Sequence, residues 1–268
     1  MTGQRIIIIG GVAGGMSAAT RLRRLQENAD IVVLERGGHV SFANCGLPYY
    51  LGGVIEQRDD LLLQTPASLG ARFNLDVRVH NEVTAIDTGA KTVTVRNLIT
   101  GDENVEGYDA LVLSPGANPV RPPLPGGERM LTLRDIDDVD AAMAALSTAP
   151  KSALVIGAGF IGLEMVENLV HRGLDVTLVE LGEQVLPPLD IEMAGPVADR
   201  LRSAGVDIRL NTQVTTLGPD SAELSDGTVV AADFVIASIG VRPETSLAVA
   251  AGLELGERGG IRVDDQLR

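Results

Sequence analysis

The apolar positions of the chain fall into one pattern written twice. Near the start, RIIII (Arg5–Ile9) is an unbroken apolar run, too short for a helix and suited to a strand buried on both faces. GGVAGG follows, and then residues 16–28, where Met16, Ala19, Leu22 and Leu25 recur at helical spacing. A second apolar run, 31–34, ends in Glu35. The same order returns later: 153–156 predicts a strand, GAGFIG a loop, 163–171 a helix, and 176–179 a strand ending in Glu180. Strand, glycine turn, helix, strand and terminal acid make the βαβ unit that holds dinucleotides.

The downstream parts repeat as well. LDVRVHNEVTAI, from Leu75, lines up with VDIRLNTQVTTL, from Val206, and YDALVLSPGANP, from Tyr108, lines up with ADFVIASIGVRP, from Ala232. Each copy runs to a last strand that stops at a glycine, Gly116 or Gly240. Repetition on this scale predicts an α/β fold of two tandem Rossmann-like dinucleotide-binding domains, 1–149 and 150–268. Each is expected to be three-layered, with a parallel sheet and a small antiparallel sheet. The prolines of NPVRPPLPGG (118–127) exclude helix and strand interiors, so it reads as a crossing segment. Residues 135–146 read as a helix capped by Asp135 or Asp137, and SDGT within 224–230 as a hairpin turn.

Charge and composition narrow the function. Hydrophobic residues make up 45% of 268, enough for two cores. Lys and Arg number 22 against 36 Asp and Glu, and the net charge of −14 argues against a nucleic-acid partner. Anionic cofactors must then be held by local features. No apolar run approaches the roughly 20 residues of a membrane span. The first strand is too short for a signal peptide and no small-residue cleavage site follows it, so a soluble, cytoplasmic protein with no membrane partner is expected. A single cysteine leaves no internal disulfide or thiolate cluster, and His39, His80 and His171 are scattered, so no metal site is expected.

The second loop fills GxGxxG completely with Gly157, Gly159 and Gly162. The first makes the tight turn, the second lets a pyrophosphate approach, and the third lets the helix pack on the strand. The helix start then offers its amides to phosphate. In the first loop Gly10 and Gly15 fit the outer positions, but Val12 stands where the middle glycine belongs. The amides of Val12, Ala13 and Gly14 stay available to an extended pyrophosphate. Glu35 and Glu180 stand where a carboxylate accepts hydrogen bonds from a ribose diol and repels a 2′-phosphate. Leu181, Gly182 and Glu183 bring no cation after Glu180, so NADH is expected over NADPH. For either loop alone, a glycine turn without ligand and a solvated strand-end acid are the plainer readings; strand, loop, helix and acid together outweigh them.

The lone cysteine lies in SFANCGLPYY (41–50), where Pro48 reads as a first-turn proline. Cys45 is therefore expected at a helix N-terminus, which favours the thiolate; elsewhere a lone cysteine is usually a small buried hydrophobe. Arg21, Arg23 and Arg24 read most simply as a solvated helix face.

SFANCG, the two glycine loops, YDALVLSPGA and IASIGVRPE together resemble the single-cysteine branch of the FAD-dependent pyridine nucleotide–disulfide oxidoreductases, over essentially the whole chain. That branch holds coenzyme A disulfide reductases, NADH oxidases and NADH peroxidases; the motifs look most like the first, including those with a C-terminal rhodanese domain. The resemblance implies FAD on the first unit, at Gly10, Val12, Ala13, Gly14, Gly15, Glu35, Arg36, Val83, Ser114, Pro115 and Gly116, with Arg134 reaching it. It implies NADH or NADPH on the second, at Gly157, Gly159, Phe160, Ile161, Gly162, Glu164, Glu180 and Gly240. Phe160 would be the aromatic gate over the flavin, and Glu164 would lie near the nicotinamide. Cys45 would be catalytic, on the flavin face opposite the nicotinamide. Ser41 and Asn44 would flank its sulfur and bind substrate, and Arg21 and Arg24 would meet coenzyme A phosphates.

The implied reaction reduces coenzyme A disulfide with NAD(P)H through FAD and a Cys45–coenzyme A mixed disulfide. Two alternatives stay open: a sulfenic-acid cycle at Cys45 with peroxide or oxygen as acceptor, and a nucleotide-binding module without turnover. Against the first, oxidase and peroxidase members carry a histidine shortly after the first glycine, where GGVAGG has none. In the family the chain continues past the position of IRVDDQLR, with a return segment to FAD and a dimerisation domain. The 268 residues are therefore read as part of a longer, homodimeric protein, and are expected by themselves to hold FAD poorly while keeping an NADH site.

Overall fold

A computed structural model describes Gly3–Arg268, and its contacts divide the chain into two compact units. The first takes the chain up to Ala43, then Leu62–Asn118 and Arg242–Arg268; the second takes Asn44–Leu61 and Pro119–Val241. These units interleave along the chain, whereas a boundary at 149/150 follows the sequence repeat; packing and repeat order are different divisions.

In the first unit, β1 (Arg5–Ile9), β2 (Asp30–Leu34), β3 (Asp76–Arg78) and β7 (Ala110–Leu113) form an all-parallel sheet in the order β3-β2-β1-β7. The antiparallel strands β4 (Asn81–Asp87), β5 (Thr92–Asn97) and β6 (Glu103–Gly107) form a second, smaller sheet. The isoleucine run explains the layering. Successive side chains of a strand point to opposite faces, so Ile6 and Ile8 pack with Met16 and Ala19 of α1 (Ala13–Leu25), while Ile7 and Ile9 pack with Val83, Val93 and Val95. Arg23 departs from a solvated face: its guanidinium donates to the carbonyls of Phe73 (2.9 Å) and Asn74 (2.8 Å), stapling α1 to the end of α3 (Pro66–Phe73).

The second unit repeats the topology. Its parallel sheet is β11-β10-β9-β15, from β9 (Ser152–Ile156), β10 (Asp175–Val179), β11 (Asp207–Arg209) and β15 (Phe234–Ala237). Its antiparallel sheet is β12 (Val214–Leu217), β13 (Ser221–Leu224) and β14 (Val229–Ala231), with SDGT as the turn of the last hairpin. Leu154 and Ile156 pack against Val214, Leu217, Ala222 and Leu224. The helices are α2 (Leu47–Gly52), α4 (Ile136–Leu146), α5 (Phe160–His171) and α6 (Ile191–Ser203). The short strands β8 (Ala117–Pro119) and β16 (Val241–Pro243) lie where the chain passes between units, and α7 (Ser246–Ala250) belongs to the first. The repeat reaches single residues: His80 (φ 55°) and Asn211 (φ 51°), equivalent in the two copies, are both left-handed.

Both loop helices start earlier than the apolar spacing predicts, α1 at Ala13 and α5 at Phe160. Gly14, Gly15 and Gly162, which read as loop, are first-turn residues. Their lack of side chains lets that turn sit against the strand end, a tertiary reason invisible in helix propensity.

Candidate functional site

Three glycines where β9 passes into α5, Gly162 already in the helix's first turn, have different reasons to be glycine. Gly157 has φ +102° and an added Cβ would lie 2.6 Å from the Ser238 carbonyl oxygen. A Cβ on Gly162 would lie 2.0 Å from the Gly157 oxygen. The chain itself requires both. Gly159 has an ordinary φ of −77°, and its Cβ would meet nothing within 4 Å. The space in front of it is therefore free for a group outside the chain. Gly159 is also the N-cap of α5 and supplies no side-chain cap to its first turn, whereas α3 and α4 are capped by Thr65 and Asp135. Uncapped first-turn amides beside an open glycine fit a pyrophosphate.

At the end of β10 the Glu180 carboxylate accepts from the amides of Ala158 (2.7 Å) and Gly182 (2.8 Å). Each oxygen is fixed yet keeps acceptor capacity for a ribose hydroxyl. Glu180, Gly157 and Gly159 open on a cavity of ≈ 930 Å³ lined entirely by residues of the second unit. Its apolar wall includes Ile156, Val179, Leu181, Pro187, Pro188 and Ile239.

The same cavity is lined by Asn44, Cys45 and Arg134, and by Phe160, Ile161, Glu164 and Gly240. Phe160 is 61% exposed, which leaves its ring free to change rotamer. Burial raises the Glu164 carboxyl above its ordinary value, and the neighbouring Glu167 charge adds to the shift. Cys45 is exposed, in a 3-10 turn (Asn44–Gly46) that leads into α2, with Pro48 in the first turn of that helix. The expectation placed Cys45 at the helix N-terminus; it sits one 3-10 turn ahead of a six-residue helix. Asn44 Nδ2 donates to the Arg134 carbonyl at 3.3 Å.

What holds α2 is its contact with α5. Arg172 Nε donates to the Leu51 carbonyl, and Gly52 faces Asn168, which is 1% exposed and donates through Nδ2 to Glu164 O at 2.8 Å. A Cβ on Gly52 would lie 1.9 Å from Asn168 Oδ1 and 2.8 Å from Asn168 Cβ. Gly52→Ala is therefore expected to destabilise the protein by about 1–3 kcal/mol, the usual cost of overpacking. The check is thermal unfolding; an unchanged Tm would mean that α2 is free to move off α5.

The first unit carries the parallel arrangement. Gly10 has φ +101° and its Cβ would lie 2.0 Å from Ser114 O, while a Cβ on Gly15 would lie 1.8 Å from Gly10 O. Val12 is the N-cap of α1 and gives no side-chain cap, so Ala13 and Gly14 offer their amides at the loop. Glu35 accepts from Gly11 N and Gly37 N, both at 2.7 Å, as Glu180 does in the other unit. Ser114 N donates to Ile9 O (2.8 Å) and leads through Pro115 to Gly116, left-handed at φ +75°. Arg36 donates to Asn118 Oδ1 (3.2 Å), whose Nδ2 donates to Glu244 (2.6 Å). These features fit a second dinucleotide. The Val83 side chain is buried in the core with Ile7 and Ile9, so only its backbone is available to a ligand.

Ser41, Arg21 and Arg24 belong to the first unit and are not among the residues lining the cavity. Ser41 (φ 49°) donates its amide to Gly11 O at 2.9 Å. Arg21 and Arg24 are exposed on α1. Pro119, Pro122 and Leu124, read from sequence as a crossing segment, line the cavity together with Leu133, Gln213 and Val214. Their signal was the prolines themselves, which make rigid apolar walls without donors. Among the described residues no His, Cys, Asp and Glu group could hold a metal ion, and no helix is long and apolar enough to cross a membrane.

Comparison with known proteins agrees with this geometry. The profile of the family described as Pyridine nucleotide-disulphide oxidoreductase matches residues 4–268. The coenzyme A disulfide reductase of Staphylococcus haemolyticus is 35% identical over 264 residues, which are 98% of this chain and 60% of that protein. The chain thus spans about 60% of the length of the curated relatives it matches. Among solved structures, reduced CoADR-RHD from Bacillus anthracis is 47% identical with a TM-score of 0.97, covering 99% of this chain and 49% of that one. The NAD-dependent persulfide reductase from A. fulgidus is 36% identical with a TM-score of 0.95, covering 98% of this chain and 51% of that one.

Proposed function

The chain belongs to the pyridine nucleotide-disulphide oxidoreductase family, and from that premise we propose that it is the dinucleotide-binding part of an NADH-dependent, FAD-containing reductase of coenzyme A disulfide. One observation carries the reading: Cys45, the only cysteine of the sequence, lines the same cavity as the second glycine loop. With no partner thiol in these 268 residues, the second sulfur of the redox couple in this reading comes from the substrate.

When bound, FAD supplies the two-electron relay between nicotinamide and disulfide. The rest falls to the chain. Cys45 thiolate attacks one sulfur of coenzyme A disulfide, forming a mixed disulfide and releasing one coenzyme A thiolate. Two electrons then cleave the mixed disulfide, returning Cys45 thiolate and the second coenzyme A thiolate. In this reading Gly10, Val12, Ala13, Gly14, Gly15, Glu35, Arg36 and Ser114–Pro115–Gly116 hold FAD, with Arg134 contributing. Gly157, Gly159, Ile161, Gly162 and Glu180 hold NADH, with Phe160 gating and Glu164 beside the nicotinamide. Ser41, Asn44, Arg21 and Arg24 serve the disulfide substrate. The full-length protein is a cytoplasmic homodimer.

The test is intact mass of full-length protein purified without reductant: a coenzyme A adduct supports the reading, and rapid peroxide consumption with no adduct and no disulfide cleavage overturns it. Similarity to the persulfide reductase carries a second reading, in which Cys45 attacks the sulfur–sulfur bond of a persulfide. Comparing turnover of coenzyme A disulfide with that of coenzyme A persulfide separates the two.

Glu180 carries the preference for NADH. Both its oxygens are pinned by backbone amides, and Leu181 and Gly182 offer no cation to a 2′-phosphate. Glu180→Ser combined with Leu181→Arg is expected to swing the NADH:NADPH ratio of kcat/KM toward NADPH by about a hundredfold, the scale of one lost repulsion and one charge-assisted pair. Equal use of both nucleotides by the unaltered full-length enzyme would refute this assignment.

A further inference from the structure

We propose that Asp138 is a positioning residue for Cys45: its carboxylate fixes the segment 132–134, whose last carbonyl anchors Asn44 beside the sulfur. The proposal rests on the functional reading only in taking Cys45 as the reacting sulfur.

Asp138 lies in the first turn of α4, where an acid is ordinarily a cap. That role is already filled, because Asp135 is the N-cap and accepts from the Asp138 amide at 3.0 Å. The Asp138 carboxylate turns to the preceding segment instead. Its Oδ2 accepts from Thr132 Oγ1 at 3.1 Å and from the Arg134 amide at 2.8 Å. Thr132 is 3% exposed and also receives Arg121, which donates to Thr132 Oγ1 (3.1 Å) and to the Met130 carbonyl (3.2 Å). A carboxylate and a guanidinium thus grip both ends of a short irregular segment.

Between those grips, Leu133 and Arg134 line the cavity. The Arg134 carbonyl accepts from Asn44 Nδ2, in the 3-10 turn that carries Cys45. The chain of contact is continuous: Asp138 carboxylate, Arg134 peptide, Asn44 amide, then the adjacent Cys45. Burial raises the Asp138 carboxyl above its ordinary value, with Asp135 adding, while the Arg134 amide, Thr132 and Arg121 oppose the rise. The carboxylate caps no helix and holds the 132–134 segment instead.

In the full-length protein the reactivity of Cys45 can be read without cofactor or coenzyme A, as the exchange that a Cys45→Ser protein lacks. The experiment measures the rate at which Cys45 exchanges with dithiodipyridine in five variants, alongside their Tm. Asp138→Ala is expected to slow exchange about tenfold, the scale of one lost charge-assisted hydrogen bond. Asp138→Asn keeps an acceptor oxygen and should recover most of the rate. Asn44→Ala should also be slow, and the double variant Asp138→Ala/Asn44→Ala no slower than the slower single, because both break one chain of contact. Asp137→Ala, on the exposed neighbour, controls for general loosening of α4. The idea is overturned if the double variant shows the product of the single effects, or if Asp138→Ala lowers Tm yet leaves the exchange rate unchanged. Since the probe is a simple disulfide, a failure of the coenzyme A reading would leave this result intact.

Discussion

Cys45→Ser is expected to lower NADH-dependent cleavage of coenzyme A disulfide by at least about a thousandfold in the full-length protein. These 268 residues contain no second thiol beside the site, so loss of this sulfur removes both the nucleophile and the atom that carries the mixed disulfide. Serine reproduces the size of the side chain but ionises far above working pH and cannot form the sulfur–sulfur bond on which the second half-reaction depends. The fold should be untouched, since Cys45 is exposed in a 3-10 turn and fills no core space. Reduction of bound flavin by NADH should survive, because that step does not pass through the Cys45 sulfur. Stopped-flow absorbance separates the halves: flavin reduction at the wild-type rate, with disulfide turnover gone. Any variant retaining a tenth of the wild-type turnover would place the reacting sulfur outside this chain.

Much of this architecture was legible because local and tertiary signals agree. RIIII alternates between two packed faces, and either face of the strand finds apolar partners, so the run reads as a buried strand without further information. The two glycine loops and their terminal acids are fixed by backbone requirements that only particular residues meet, at Gly10 and Gly157 above all. What stayed hidden depends on partners distant in sequence. Nothing in SFANCGLPYY says that α2 packs with α5 through Gly52 and Asn168, which is why residues 44–61 join the second unit. Arg23 reads like its neighbours Arg21 and Arg24, and only the carbonyls of Phe73 and Asn74 make it structural. Asp138 reads as one acid among several in a first turn, and its role appears only when the Arg134 amide is found on its carboxylate. The prolines at 119 and 122 forbid regular structure, which is true, but that property also makes them a wall of the cavity.

A larger structural effect than at Gly52 is expected from Gly157→Ala, and its contrast with Gly159→Ala tests what the loop is for. At Gly157 the backbone has φ +102°, and an added methyl would meet Ser238 O at 2.6 Å and Ile239 N at 3.1 Å. Strain and collision with backbone combine, and neither can be relieved by turning a side chain. The cost is about 3 kcal/mol or more, read as a fall in Tm of roughly 6–12 °C for a protein of this size. At Gly159 the same methyl meets no atom of the chain within 4 Å and φ is ordinary, so Tm should hold. If the open space belongs to a pyrophosphate, however, the methyl occupies it and pushes the phosphates off the Phe160 and Ile161 amides. NADH affinity should then fall by at least about tenfold, the equivalent of one lost charge-assisted hydrogen bond. Calorimetric titration of both variants with NADH, beside thermal unfolding, gives two numbers per variant. The expected pattern is a stability loss at Gly157 and a pure binding loss at Gly159. A Gly159→Ala protein that binds NADH as tightly as wild type would mean that the nucleotide does not approach this loop, and would remove the main reason for placing it there.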